Sequence, residues 1–315
     1  ERSAEDDIQF DDAKALKHDG ACFDWRSASA DEVEKQFNPA VAVGQSAVEG
    51  YTARYAAESA EAYKRFPLPI DDADIAYGNS ARQTIDLHRP ERSNGALLMF
   101  IHGGYWRRFS KTDFGFIVTN YLEAGVTVAN IDYDLCPAVR VEHILTQMKN
   151  CFEFICSNTT AWGCDPKRIY LSGHSVGAHM AAWLLADPAR AVHVAAAHLM
   201  SGIYEVPVVC RLSAINEMVR LDEEEAARCD VSSCPPAQQV PLVVSVGALE
   251  PQAWREQSVA YAEAAQRAGC HVVFTECPGT DHFSMIFDCT RASGKAYHLF
   301  ENLMSPVRVD HCSEE

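Results

Sequence analysis

The sequence predicts an α/β protein: a mostly parallel sheet of about eight strands flanked by helices. Three observations carry this reading. From residue 75 onward, short β-branched runs alternate with amphipathic helical stretches, the rhythm of strand–helix–strand units. The runs around Phe100, Val128 and Val244 are apolar throughout, as strands buried on both faces are. A Gly-x-Ser-x-Gly pentapeptide also falls where a strand is expected to turn sharply into a helix.

Residues 1–66 read as a helical arm in pieces, rich in Ala, Glu and Lys, as in 48–64, and Pro67 and Pro69 stop that pattern. Strands are expected at 75–77, 84–88, 96–101, 126–131, 169–172, 194–200, 242–246 and 272–275. The first two are close enough to form a hairpin, which predicts an antiparallel edge. Helices are expected at 112–124, 143–156, 176–186 and 253–268. Residues 203–240 interrupt the rhythm with a helical piece at 213–228 and a turn-rich end at Cys234-Pro235-Pro236. Long insertions are usually functional, so this one and the arm are expected to form a small lid. The whole chain, 1–315, reads as a single domain.

Composition bounds the function. A chain of 315 residues buries roughly 75% of its unfolded surface, so its core needs no staples. A formal net charge of −17 repels phosphates and disfavours nucleic acid or an anionic membrane as partner. No apolar run is long enough to cross a bilayer, and the first thirty residues are acidic and polar, unlike a signal peptide. The 12 Cys include no CxxC pair. Cys151, Cys156 and Cys164, and Cys229 with Cys234, fit no zinc module. Cys136 and Cys210 lie in apolar stretches, where free Cys acts as a small hydrophobe. Reduced thiols and a cytoplasmic setting are the expectation.

Residues 173–177 read Gly-His-Ser-Val-Gly. A chain reversing from strand to helix holds its serine in a strained conformation, and glycines on either side avoid a clash across the turn. Ser175 then projects from the strand end. The N–H of Val176, at the helix start, points toward developing negative charge. Upstream, residues 97–106 read Leu-Leu-Met-Phe-Ile-His-Gly-Gly-Tyr-Trp. Gly103 and Gly104 directly follow a predicted strand and let backbone N–H groups approach an oxyanion. His102 is read as holding this loop by hydrogen bonds. Together the two motifs predict the α/β-hydrolase fold with Ser175 as nucleophile.

A base and an acid should follow in the order Ser, Asp/Glu, His. His282 sits in a Gly- and Pro-marked loop after the last predicted strand and is the preferred base. His271, His298 and His311 are its rivals. The loop after 242–246 should carry the acid, and Glu250 is its first carboxylate; Glu256 is the alternative, within the following helix. His174, His179, His193 and His198 match no metal spacing, so no metal and no organic cofactor are expected.

The segment His102-Gly103-Gly104-Tyr105-Trp106 resembles the signature of the kynurenine formamidase (arylformamidase) family. So do Phe37-Asn38-Pro39, the run 51–59, Ile131-Asp132-Tyr133-Asp134-Leu135 with Pro137, the elbow, the run from Glu250 to Gln257-Ser258, and Asp281-His282-Phe283. The likeness extends over residues 36–303 and departs at Glu250, where the family usually has Asp, and around Val231-Ser232-Ser233-Cys234. It implies Ser175, Glu250 and His282 as a triad, with Gly103, Gly104 and Val176 around the oxyanion and no cofactor. The expected partner is a small-molecule amide or ester, with a homodimer also admitted. Tyr105, Trp106 and His174 are the expected substrate contacts, the two aromatic rings flanking an aromatic leaving group. Three functions fit: an arylformamidase acting on N-formylkynurenine, a relative hydrolysing other amides, carbamates or esters, and a non-catalytic binding scaffold.

Overall fold

The structure is a computed structural model, and it describes residues 22–304. His311, and the part of the predicted arm before residue 22, lie outside the described residues.

Eight strands form one sheet: β1 (Ile75–Ala76), β2 (Thr84–His88), β3 (Leu97–Ile101), β4 (Thr127–Ile131), β5 (Ile169–His174), β6 (Val194–Met200), β7 (Leu242–Gly247) and β8 (Val272–Cys277). Their spatial order is β1-β2-β4-β3-β5-β6-β7-β8. The β1–β2 and β2–β4 pairs are antiparallel and the rest are parallel, so the antiparallel edge read from the hairpin is present. The central strands show why apolar runs become two-sided strands. Leu97, Met99 and Ile101 of β3 enter one buried cluster, while Leu98 and Phe100 enter the other. Successive side chains point to opposite faces of a strand, so a strand covered on both sides must be apolar at every position.

The helices cover both faces. Those at Val141–Asn158 and Val176–Leu185 bury residues in the first cluster. Those at Val118–Glu123 and Lys295–Met304 bury residues in the second. The expected helix at 112–124 begins instead as a tighter 3-10 stretch, Lys111–Ile117. The expected single helix at 213–228 is two, Ser213–Val219 and Glu223–Cys229. Arg220 takes a left-handed conformation with φ 58° and ends the first helix. The Asn216 carboxamide then bonds both the N–H and the carbonyl of Leu221, at 2.8 and 3.0 Å. Asp222 caps the second helix by accepting from Glu225 N at 2.8 Å, the usual service of an Asp at that position. Helical periodicity runs through the break, and local side-chain bonds override it.

The described part of the arm contains helices at Ala30–Phe37, Pro39–Val43 and Gln45–Arg65. The Arg211 guanidinium, in the insertion, donates to the carbonyls of Trp25, Arg26 and Ala28 and ties the insertion to the segment just before the helix at Ala30–Phe37. Among the described residues no helix is long and apolar enough to cross a membrane, and the eleven described cysteines are free.

Burial leaves an acid-sensitive signature. His88 and His179 are almost fully buried, and loss of hydration pushes both down to about 4 from the ordinary 6.5. The unfolded chain therefore binds these protons more readily, so the contribution of both groups to stability is complete above pH 6.5 and is lost as the pH falls toward 4. Urea unfolding followed across this window should show stability falling by up to about 1.4 kcal/mol per pH unit for each histidine. His179→Gln should flatten that slope, and an unchanged slope would contradict the assignment.

Candidate active site

The elbow forms because β5 runs to His174 and the next helix starts at Val176, leaving Ser175 alone to make the reversal. Ser175 has φ 60° and ψ −121°, a strained conformation for a residue with a side chain, costing of order 1–3 kcal/mol. Its N–H is held by the carbonyl of Met200 at 2.8 Å. Gly177 is required by close packing: a β-carbon there would lie 2.0 Å from the carbonyl oxygen of Ile101. The missing side chain lets the start of the elbow helix sit directly against the end of β3.

That contact brings the loop 102–106 beside Ser175. A β-carbon on Gly103 would fall 3.0 Å from Ser175 Cβ, and Gly104 has φ 119°. His102 braces the loop, its Nδ1 2.7 Å from Gly103 O and its Nε2 3.2 Å from Asp132 Oδ1. Its ring stacks on Tyr133 with centroids 4.3 Å apart, and Arg82 holds Asp132 at 2.6 Å. Val176 is the first residue of its helix, so its N–H has no intrahelical acceptor.

Glu250 and His282 meet across the ends of β7 and β8. The imidazole Nδ1 is 2.8 Å from Glu250 Oε2, and both side chains are buried. Gly247 N–H donates to Glu250 Oε1 at 2.7 Å. The Ser201 hydroxyl, just past β6, lies 2.8 and 2.6 Å from the two carboxylate oxygens. The carboxylate is thus fully hydrogen-bonded, which is what a buried charge needs. The turn carrying His282 is built by Asp281, whose Oδ1 accepts from Phe283 N at 3.0 Å and Ser284 N at 2.9 Å. Tyr51, in the arm, donates to Asp281 Oδ2 at 2.7 Å. An imidazole tied through Nδ1 to a carboxylate presents Nε2 to the opposite side, where it can exchange a proton with a hydroxyl.

Ser175 and His282 line one cavity of about 60 Å³. Gly104, Tyr105, Arg107, Arg108, Phe109 and Phe283 contribute to its walls, as do Asn38 and Pro39 of the arm and Ile215 of the insertion. His174 lines it too, but is committed: its Nε2 donates to the carbonyl of His282 at 2.9 Å. Burial, with His282 beside it, holds the His174 imidazole well below 6.5 and neutral. Tyr105 lines the cavity with its hydroxyl bonded to Phe37 O. Trp106, expected to flank a substrate, does not. It is completely buried and packs edge-on against His179, because the strained turn at Tyr105 and Trp106, with φ 51° and 54°, directs the indole inward.

The rival acids and bases lie elsewhere. Glu256 accepts from Phe23 N at 2.7 Å and borders a different cavity. His271 is exposed at the start of β8, and His298 bonds Glu301 and Ala292 O on the surface. The expected metal-free histidines also separate: His179 bonds Cys229 O, His198 bonds Ser245 Oγ, and His193 is exposed.

The family model described as BD-FAE matches residues 85–238. A kynurenine formamidase from Danio rerio is 28% identical over 275 residues, covering 84% of this chain and 92% of that protein. A second, from Salmo salar, is 26% identical over 294 residues, covering 89% and 97%. Over most of its length the chain is thus similar to kynurenine formamidases, which supports a hydrolase of that kind. A crystal structure from Silicibacter sp. tm1040, described as a thioesterase, superposes with a TM-score of 0.73 at 24% identity, covering 87% of this chain and 99% of that one; it shares the fold.

The sequence motifs do not mark Ser201, Trp254, Arg107 and Arg108. Trp254 stands edge-on to His282, with ring centroids 4.7 Å apart, and donates Nε1–H to Ser201 O at 3.1 Å. No motif marks Ser201 or Trp254, since both act through contacts made only in the fold. The arginines directly follow the loop motif, and their position beside it was a usable signal.

The elbow makes a direct prediction. Gly177→Ala forces a methyl group against the Ile101 carbonyl and should cost about 2–3 kcal/mol of stability. Thermal unfolding of the purified variant checks this, and a wild-type Tm would show that the helix can move away from β3.

Proposed function

We propose that this protein is a serine hydrolase cleaving a small acyl amide of an aromatic amine, of the N-formylkynurenine type. The reading of mechanism is carried by the buried Glu250–His282 pair opening on the same cavity as Ser175. His282 Nε2 takes the proton of the Ser175 hydroxyl while Oγ attacks the carbonyl carbon. Glu250 orients the ring and stabilises the imidazolium. The N–H of Val176 and the Gly103-Gly104 backbone receive the oxyanion, donors of a kind worth roughly 2.7–4 kcal/mol each in the transition state. The tetrahedral intermediate collapses, the amine leaves with the proton from His282, and Ser175 is left as an acyl ester. Water, deprotonated by His282, attacks that ester, releases the acid, and returns the proton to Ser175.

Two features favour this substrate class. Aromatic rings of Tyr55, Tyr105, Phe109, Phe114 and Phe283 line the cavity, surfaces on which an aromatic leaving group packs. Arg107 and Arg108 also line it, and neither has a carboxylate partner among the described residues. In a chain of net charge −17, unpaired guanidinium groups at a cavity suit a substrate carboxylate, which N-formylkynurenine carries and simple esters lack. In this reading the arm and the insertion act as the lid.

A fluorophosphonate probe should label Ser175 and fail to label Ser175→Ala; absence of labelling in the wild type would favour the non-catalytic scaffold. The specificity constant for N-formylkynurenine should exceed that for p-nitrophenyl acetate, and turnover of the ester alone would remove the formamidase assignment in favour of an esterase. Replacing Arg107 and Arg108 together by Ala should raise KM for N-formylkynurenine about tenfold, the scale of one charge-assisted hydrogen bond. It should leave p-nitrophenyl acetate turnover nearly unchanged; equal effects on both substrates would show that the arginines only shape the cavity.

A further inference from the structure

We infer that Ser201 is a positioning residue that locks the Glu250 carboxylate against His282; this rests on the proposed roles of Ser175, Glu250 and His282. Ser201 is the first residue after β6 and is completely buried. Its hydroxyl lies 2.8 and 2.6 Å from the Glu250 oxygens and 2.9 Å from His282 Nδ1. A hydroxyl has one proton, and an ionised carboxylate only accepts, so Ser201 donates to Glu250 and turns a lone pair toward Nδ1. The Nδ1–H of His282 then faces two fixed acceptors, Glu250 Oε2 and Ser201 Oγ.

The backbone of Ser201 supports a dedicated role. Its φ is 48°, the left-handed region, which costs a residue with a β-carbon roughly 1–2 kcal/mol. Two neighbours hold it there: its N–H donates to Ser245 O at 2.7 Å, and its carbonyl accepts from Trp254 Nε1 at 3.1 Å. Glycine would adopt this conformation without strain, and the next residue is Gly202. A strained, fully buried serine whose side-chain bonds among the described residues all go to the proposed acid and base is placed for those bonds.

The need arises from the acid being Glu. Its side chain has one more torsion than Asp and greater freedom to swing its carboxylate. Gly247 N–H fixes Oε1 at 2.7 Å, but apart from the imidazole it is meant to orient, that single donor leaves the group free to pivot. The Ser201 hydroxyl supplies a second fixed point and leaves Oε2 facing His282.

The test measures fluorophosphonate labelling of Ser175 under saturating and subsaturating probe. Ser201→Ala keeps the β-carbon and the strained backbone, whereas Ser201→Gly relieves the strain. Both should lower the maximal labelling rate about tenfold, the scale of one hydrogen bond to a charged group, with the half-saturating probe concentration within about twofold of wild type. The Gly variant should unfold at a temperature no lower than the Ala variant, so loss of rate without loss of fold is available even if the Ala variant is unstable. In a Glu250→Gln background the carboxylate is gone, and Ser201→Ala should cost less than about twofold more, the non-additivity expected of directly coupled groups. A wild-type rate in both Ser201 variants, or the same tenfold loss with and without the Glu250 carboxylate, would overturn the inference. Failure of the wild-type protein to label would instead overturn the underlying reading of Ser175.

Discussion

The buried carboxylate of Glu250 is the constraint around which the candidate-site end of this molecule is organised. A charge taken out of water is tolerated only when its oxygens are fully bonded. Here the donors come from three strand ends: Gly247 closing β7, Ser201 just past β6, and His282 after β8. The three strands must therefore finish at matched heights. Parallel pairing supplies this, with β6 and β7 aligned from Ala197–Leu242 to Met200–Ser245 and β7 and β8 from Leu242–Val272 to Gly247–Cys277. A slip of register in either pair would strand the charge as well as misplace the imidazole.

Strain gathers at the same edge. Ser175 and Ser201 both have positive φ at the ends of neighbouring strands, and Tyr105 and Trp106 do so after β3. Such conformations persist only when their surroundings over-determine them. At Ser175 that surrounding is the Met200 carbonyl and the close fit of Gly177 against Ile101. At Ser201 it is Ser245 and Trp254. Met200 and Ser201 are adjacent, so one strand end braces the proposed nucleophile through a carbonyl and the proposed acid–base pair through a hydroxyl. His174 adds a third tie, from the elbow to the backbone of His282. The proposed reacting groups are thus held in short turns braced against the strand ends, which is how a site reaches the precision that chemistry requires.

The walls of the cavity come from a different source. The arm reaches it through Asn38 and Pro39, and the insertion through Ile215. Tyr51 of the arm also bonds Asp281 beside the imidazole. These segments lie outside the strand–helix rhythm, although both bury side chains in the same core cluster as the sheet. In the proposed function, substrate choice rests with them and with the residues that follow the Gly103-Gly104 loop, while the bond-breaking machinery rests beside the strand ends.

The sequence by itself determined where the strands lie along the chain, the elbow at Ser175, the loop at Gly103-Gly104 and the turn carrying His282. Each is a local matter of apolar periodicity or turn chemistry, expressed within a few consecutive residues. Tertiary structure alone decided which side chains meet. Ser201 is 49 residues from Glu250 and 81 from His282 in the chain, and no short-range pattern encodes a contact that exists only when three strands end side by side. The same holds for Trp106, which reads as a binding aromatic beside the motif yet is turned into the core by the backbone at that corner. The break at Arg220 was hidden for the opposite reason: helical periodicity continues across it, and the side chains of Asn216 and Asp222 stop the helix through bonds that periodicity does not record.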